Sequence, residues 1–180
     1  MTQAAGPPAV TLSRAGPQQR ATLAQLFQLY IYDISRFARW PVGPDGRYDL
    51  ADRILPPYFD AADHHPYLIL SQNEIAGFCL IRRASDDAAR WDMGQFFVMQ
   101  KFRGGATAQA AFRAALHLHP GRWQVRVLPA NEPALRFWSA AIAQVNGSPV
   151  DGEDVTADGL TMRRFAFQLG PDVSPAAPPS

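Results

Sequence analysis

Lys101, Arg103, Gly104 and Gly105 stand between an apolar run, Phe96 to Met99, and an alanine-rich amphipathic segment, Ala106 to His117. That order reads as strand, tight loop and helix. The two glycines let the chain turn sharply and carry no side chain that would block a ligand. The first N–H groups of the following helix lack intrahelical partners, and the helix dipole favours negative charge beside them. Lys101 and Arg103 add cationic side chains to the same place. A phosphate or pyrophosphate is the chemistry such a loop serves. The stretch has neither the Gly-Lys-Ser/Thr ending of a P-loop nor a three-glycine dinucleotide fingerprint.

A second stretch with chemistry lies downstream. Trp123 to Leu128 reads as a strand, and Asn131 is placed to cap a helix whose first turns hold Pro133 and Ala134-Leu135-Arg136-Phe137-Trp138. Other titratable groups gather upstream: Tyr30, Tyr32 and Asp33 late in one helix, then Tyr48, Tyr58, Asp60, Asp63, His64 and His65. His64 and His65, just before a strand, are either a base of near-neutral titration or two solvated loop histidines. His117 and His119, at the end of the loop-following helix, suit a cationic cap.

The elements that position these residues follow from periodicity. Ala9 to Arg14 reads as a short strand. Gln18 to Phe37 is amphipathic, with Leu23, Leu26, Phe27, Tyr30, Ile31 and Ile34 at helical spacing, and Trp40-Pro41 ends it. Asp49 opens a second helix to about Leu55, before Pro56 and Pro57. Tyr67 to Ser71 and Ile75 to Arg82 form a hairpin turning at Asn73-Glu74. Ser85 to Ala89 is a polar loop, and Arg90 to Met99 is the strand entering the phosphate loop. Asp151 to Val155 and Leu160 to Gln168 are the last strands. Residues 1–8 and the proline-rich 171–180 read as loose termini around one domain, residues 9–170.

Composition excludes several classes. Hydrophobic residues make up 47% and charged residues 18% of 180, which describes a globular chain. A net charge of +1 and the lack of a basic stripe argue against nucleic acid. Lys101 is the sole lysine; arginine supplies the remaining basic charge. Cys79 is the one cysteine, so no internal disulfide or thiolate zinc cluster forms, and no histidine pattern points to a metal. No apolar run is of membrane-spanning length and no signal-peptide pattern opens the chain, so a cytoplasmic protein without membrane contact is expected.

The stretch Arg103-Gly104-Gly105-Ala106-Thr107-Ala108 resembles the coenzyme A loop of the GNAT N-acetyltransferases, Gln/Arg-x-x-Gly-x-Gly/Ala, with Ala106 where the family usually has its first glycine. Asn131, Ala134 and the pair Phe137-Trp138 resemble the family's Asn-x-x-Ala and following aromatics. Tyr32-Asp33-Ile34-Ser35, Gly46-Arg47-Tyr48 and Pro66-Tyr67-Leu68-Ile69 resemble a bacterial group of predicted acetyltransferases. The resemblance implies an α/β GNAT fold: a mixed, mostly antiparallel sheet of about six or seven strands, flanked by about four helices. Its central strands splay apart to admit coenzyme A.

The resemblance also implies acetyl transfer from acetyl-CoA, without a metal, by direct attack of a primary amine of a small molecule. The protein would act as a monomer or homodimer. The alternative is a degenerate acyl-CoA-binding sensor or partner domain of the same fold. The implied cofactor residues are Phe96, Phe97, Val98, Lys101, Arg103, Gly104, Gly105, Ala106, Thr107, Ala108, Asn131, Phe137 and Trp138. The pantetheine arm would pair with Phe96 to Val98, and the N–H of Phe97 or Val98 would stabilise the oxyanion. Tyr30, Asp33, Tyr48 and His65 would face the acceptor. Trp138 takes the place of a tyrosine acid common in the family; an indole cannot give up a proton at useful pH, and core packing explains it as well. Gln95 takes the place of a glutamate base. Asp92 and His64 are the remaining catalytic candidates. Strand alternation sets Asp92 on the opposite face from Gln95, and a surface aspartate near Arg90 is the plainer reading.

Overall fold

The computed structural model describes residues 9–157 and 159–169. The two termini read as loose, 1–8 and 171–180, lie outside the described residues. The chain runs β1 (Val10–Arg14), α1 (Arg20–Ala38), α2 (Leu50–Ile54), α3 (Pro56–Asp60), β2 (His64–Ser71), β3 (Glu74–Ala84) and β4 (Asp87–Val98). It continues through α4 (Thr107–Leu118), β5 (Arg122–Val127), α5 (Glu132–Asn146), β6 (Glu153–Ala157) and β7 (Leu160–Gln168).

The strands form one seven-stranded sheet in the order β1-β2-β3-β4-β5-β7-β6. All neighbours are antiparallel except β4 and β5. A parallel pair needs a crossover connection, which α4 supplies.

Side-chain alternation sorts the sheet into two packed faces. On one, Leu68, Phe78, Leu80 and Phe97 meet Leu23, Phe27 and Ile31 of α1 with Leu50, Leu55 and Tyr58 beyond it. On the other, Tyr67, Cys79, Ile81, Trp91, Met93 and Val125 meet Phe112, Leu116, Trp138 and Ile142 of α4 and α5. Cys79 is fully buried in this second layer, and burial pushes its thiol up.

Three local departures from the periodicity have simple causes. The helix expected to end before Pro56 is followed directly by α3, in which Pro56 and Pro57 occupy the first positions. Proline is tolerated there because those N–H groups have no helical partner. His64 and His65 lie inside β2, paired with Arg82 and Ile81, rather than before it. The expected loop 85–89 narrows to a turn, because β4 already begins at Asp87.

The largest departure is in β4. Its register with β3 shifts between Ile81↔Met93 and Leu80↔Gln95, so Gly94 is an extra, bulged residue. A bulge resets the alternation of the strand. Asp92 and Gln95 therefore share the α1–α3 face, and the opposite-face expectation is corrected.

Candidate active site

The site begins where two strands part. β4 and β5 pair only from Arg90↔Arg122 to Met93↔Val125. Beyond that point Arg126 and Val127 pair with β7, while β4 runs on to Val98 with no strand paired on its β5 side among the described residues. The result is a fork whose apex lies at Gly94 and Arg126. Met99 N–H donates to Ala76 O of β3 at 2.8 Å. Alternation then turns the backbone groups of Val98 and Phe96 into the fork and those of Phe97 toward β3. Of the two oxyanion donors expected, Val98 has the required direction and Phe97 does not. At about 3.3 Å per residue the free edge from Gly94 to Val98 is roughly 13 Å long.

The loop closes the far end of this edge. Gly104 adopts φ +78, a left-handed conformation that glycine takes without cost. A Cβ on Gly104 or Gly105 would meet nothing within 4 Å, so both border open space at the α4 N-terminus. Ala106 is the N-cap of α4 and makes no side-chain cap; Thr107 is buried, and Ala108 packs against the small cluster around Val98. The expected basic charges are otherwise engaged. Arg103 donates through Nε to Val98 O at 2.7 Å and through Nη1 and Nη2 to the Asp33 carboxylate at 3.2 and 2.7 Å. Lys101 pairs with Glu74 at 2.7 Å.

Aromatic rings line the α5 side of the fork. Phe96 stacks on Phe137 at 6.2 Å and meets Trp138 edge-on at 5.1 Å. Trp138 also meets Phe112 at 5.1 Å and is buried in the core. Asn131 caps α5, its Oδ1 accepting from Ala134 N–H at 3.2 Å.

The other face of the apex is polar. Asp92 is 1% exposed. Its Oδ2 accepts from Arg82 Nε at 3.1 Å and Arg126 Nη2 at 2.7 Å, and its Oδ1 from Arg126 Nε at 3.4 Å. It is therefore no surface aspartate near Arg90; its carboxylate is held by two ion pairs in a buried place. Tyr58 stands over the bulge: a Cβ on Gly94 would lie 2.5 Å from its hydroxyl. Burial, the largest cause, pushes the Tyr58 phenol well above its ordinary range, so it remains a hydrogen-bond donor. His64 packs edge-on against Tyr58 at 4.8 Å, and its Nδ1 lies 2.8 Å from Asp63. Tyr30, half-buried on α1, donates to Gln95 Oε1 at 2.5 Å. Burial, then the charge of Asp33, pushes its phenol up.

Two expected acceptor residues lie elsewhere. His65 points to the opposite face, 5.4 Å from Trp91 and 4.7 Å from His119, with Arg14 Nη1 on its Nδ1. Period 2 in β2 requires this once His64 faces Tyr58. Tyr48 is tied by its backbone to Gln28 and lines a pocket of about 500 Å³ within residues 41–52, which includes no fork residue. His119 is no cationic cap either. It is buried, its Nε2 meets Tyr67 Oη at 2.9 Å, and burial followed by the charges of His65, Arg14 and Arg83 lowers it to about 4.

Tyr58, Arg82 and Arg126 border the apex, and sequence reasoning assigned none of them a role. Tyr58 was legible only as one aromatic in a titratable region. The arginines sit in strands, where nothing in their spacing separates them from surface charge.

The Acetyltransferase (GNAT) family model matches residues 28–141, which include α1 from its middle onward, the fork, the loop and most of α5. The chain belongs to the GNAT acetyltransferase family, and the enzyme class this defines is N-acetyltransferase. An acetyltransferase from Thermus thermophilus superposes with a TM-score of 0.63 at 16% identity, covering 89% of this chain and 97% of that one. The aminoglycoside acetyltransferase AAC(6')-Ib in complex with coenzyme A gives 0.65 at 15% identity, over 89% and 95%. The ribosomal L7/L12 alpha-N-protein acetyltransferase RimL gives 0.61 at 14%, over 89% and 90%. At such identities these structures share the fold. No curated protein sequence matches the chain. The seven-stranded mixed sheet agrees with the fold the motifs implied.

Proposed function

We propose that this chain transfers the acetyl group of acetyl-CoA to a primary amine of a small molecule by direct attack. The observation that carries the reading is the fork: an unpaired stretch of β4, Gly94 to Val98, that ends beside the open N-terminus of α4. The solved structures of AAC(6')-Ib with coenzyme A support the choice of cofactor.

In this reading the pyrophosphate sits on the N–H groups of residues 104–108, and the arm runs from Val98 toward Phe96 as an added strand. Arg103 leaves Asp33 or Val98 O to meet the phosphates. Asn131, Phe137 and Trp138 border the arm. The thioester lies toward the apex, with a fork-facing N–H of β4 as oxyanion donor; Phe96 lies nearer the apex than Val98, the donor the sequence pointed to. The amine nitrogen attacks the thioester carbonyl, a C–N bond forms, the C–S bond breaks and coenzyme A departs as thiolate. Asp92 is engaged by arginines, so the amine proton passes to His64, directly or through water, with Asp63 orienting the imidazole. Tyr30 and Tyr58 bound the acceptor space.

Calorimetric titration with acetyl-CoA, with ATP and NADP as controls, tests the cofactor; an amine panel tests transfer. Micromolar binding of acetyl-CoA alone, with turnover of a panel amine and at least a tenfold kcat loss in His64→Gln, is the expected result. Binding without turnover would favour the sensor reading, which the buried Trp138 and the arginine-held Asp92 support. Absence of binding would overturn both.

A further inference from the structure

We propose that the acceptor amine carries a carboxylate, and that this group docks on Arg126 at the apex of the fork; the inference rests on the acetyl-transfer reading above. Arg126 is the first residue of β5 past the last β4–β5 pair, Met93↔Val125. It marks the point where the strands separate. Its side chain lies on the α1–α3 face, where Arg82 Nε and Arg126 Nη2 both donate to Asp92 Oδ2 and Arg126 Nε to Oδ1. Gly94, beside it, has no side chain, and the Tyr58 hydroxyl hangs over that gap.

An arm anchored at the α4 N-terminus and running back along Val98 and Phe96 delivers its acyl end toward this apex. An amine that attacks there has Arg126 and the Tyr58 hydroxyl within reach of the rest of the molecule.

Charge selects what that remainder is. Between Leu80 and Arg82 of β3, Asp92 and Phe97 of β4, and Gln124 and Arg126 of β5, Asp92 is the only carboxylate among the described residues. Its carboxylate accepts from both guanidiniums. Gln95, the next polar group toward the thioester, is neutral and accepts from Tyr30. Ribostamycin and kanamycin, bound by AAC(6')-Ib, are polyamines. Asp33, beside Tyr30, and Asp63, on His64, are carboxylates further out on this face, but at the apex itself such a polycation would meet two guanidiniums sharing Asp92. A carboxylate instead finds a partly desolvated guanidinium, whose planar donors match it, and a phenol that keeps its proton.

The test uses CoA-saturated protein titrated with a panel of N-acetyl amino acids as free acids and as primary amides. This readout does not require turnover. Acids binding at least tenfold more tightly than their amides is the expected result. Arg126→Gln should bring that ratio to within about twofold while leaving coenzyme A affinity unchanged. Asp92→Asn, which removes the carboxylate that both guanidiniums share, should raise it. The double variant Arg126→Gln with Asp92→Asn leaves no buried carboxylate stranded and guards against loss of folding; it should also abolish the preference. Equal binding of acids and amides, tighter binding of kanamycin, no binding of any acid, or a preference that survives Arg126→Gln would each overturn the proposal. Failure of acetyl-CoA itself to bind would instead overturn the acetyl-transfer reading on which it stands.

Discussion

His119 shows how burial rewrites a side chain's chemistry. A histidine at a helix end ordinarily gains from being charged, yet this one lies at the bottom of a layer containing Trp91, Trp123 and His65, with Arg14 and Arg83 beside the same group. Its pKa falls from 6.5 to about 4 on folding. Because the folded value lies below the unfolded one, the unfolded chain binds the extra proton between pH 6.5 and about 4. Stability therefore rises with pH across that window and is lost on acidification. The size is on the order of 2–3 kcal/mol. Melting curves from about pH 4 to about pH 7 should show this slope, and His119→Gln should flatten it. Gly94→Ala tests the bulge: the added methyl would displace the Tyr58 hydroxyl and crowd Leu80 O at 3.3 Å. A loss of about 1–3 kcal/mol in urea unfolding is expected. Residue identity exposed the loop, the Asn131 cap and the aromatic pair in the sequence. It singled out Asp92 but not the face Asp92 takes, because a one-residue bulge sets which side a strand residue faces and leaves no mark in the hydrophobic pattern.

At the scale of elements, the strand–loop–helix unit carries the cofactor prediction. Gly105 borders open space where the phosphates would lie, so Gly105→Glu should abolish acetyl-CoA binding through bulk and charge. Ala106→Gly should preserve or tighten it. Calorimetry on the two variants decides; unchanged affinity in Gly105→Glu would place the cofactor elsewhere. The fork makes a separate prediction. The amides of Phe96 and Val98 sit mid-sheet yet face no neighbouring strand, so they should exchange hydrogen faster than those of Cys79 to Ile81. Acetyl-CoA should then slow them. The elements themselves were largely legible, since α1, α4, α5 and β7 follow plain periodicity and Asn131 marks its helix. The parting of β4 from β5 was not: it depends on β5 turning toward β7, a pairing between segments far apart in the chain that no local pattern records.

The whole molecule is a sheet with unlike layers on its two sides, and the α1–α3 layer is pinned through one ring. Phe78 is fully buried and lies 5.6 Å from Phe27, 5.7 Å from Tyr30 and 5.7 Å from Phe97. Phe78→Ala should cost about 3–5 kcal/mol in urea unfolding. It should also loosen Tyr30 over Gln95, raising KM for the acceptor more than that for acetyl-CoA. The fork has a further consequence for life in a crowded solution. Strand edges with unsatisfied amides are normally sites of aggregation, because any passing chain can add to them. Here the unpaired edge lies in the interior of the sheet, between β5 on one side and β3 on the other, rather than on its rim. A neighbouring protein cannot bring a whole strand, with its own sheet attached, into that slot. The molecule thus keeps an adhesive backbone edge for a slender guest without offering it to its own kind.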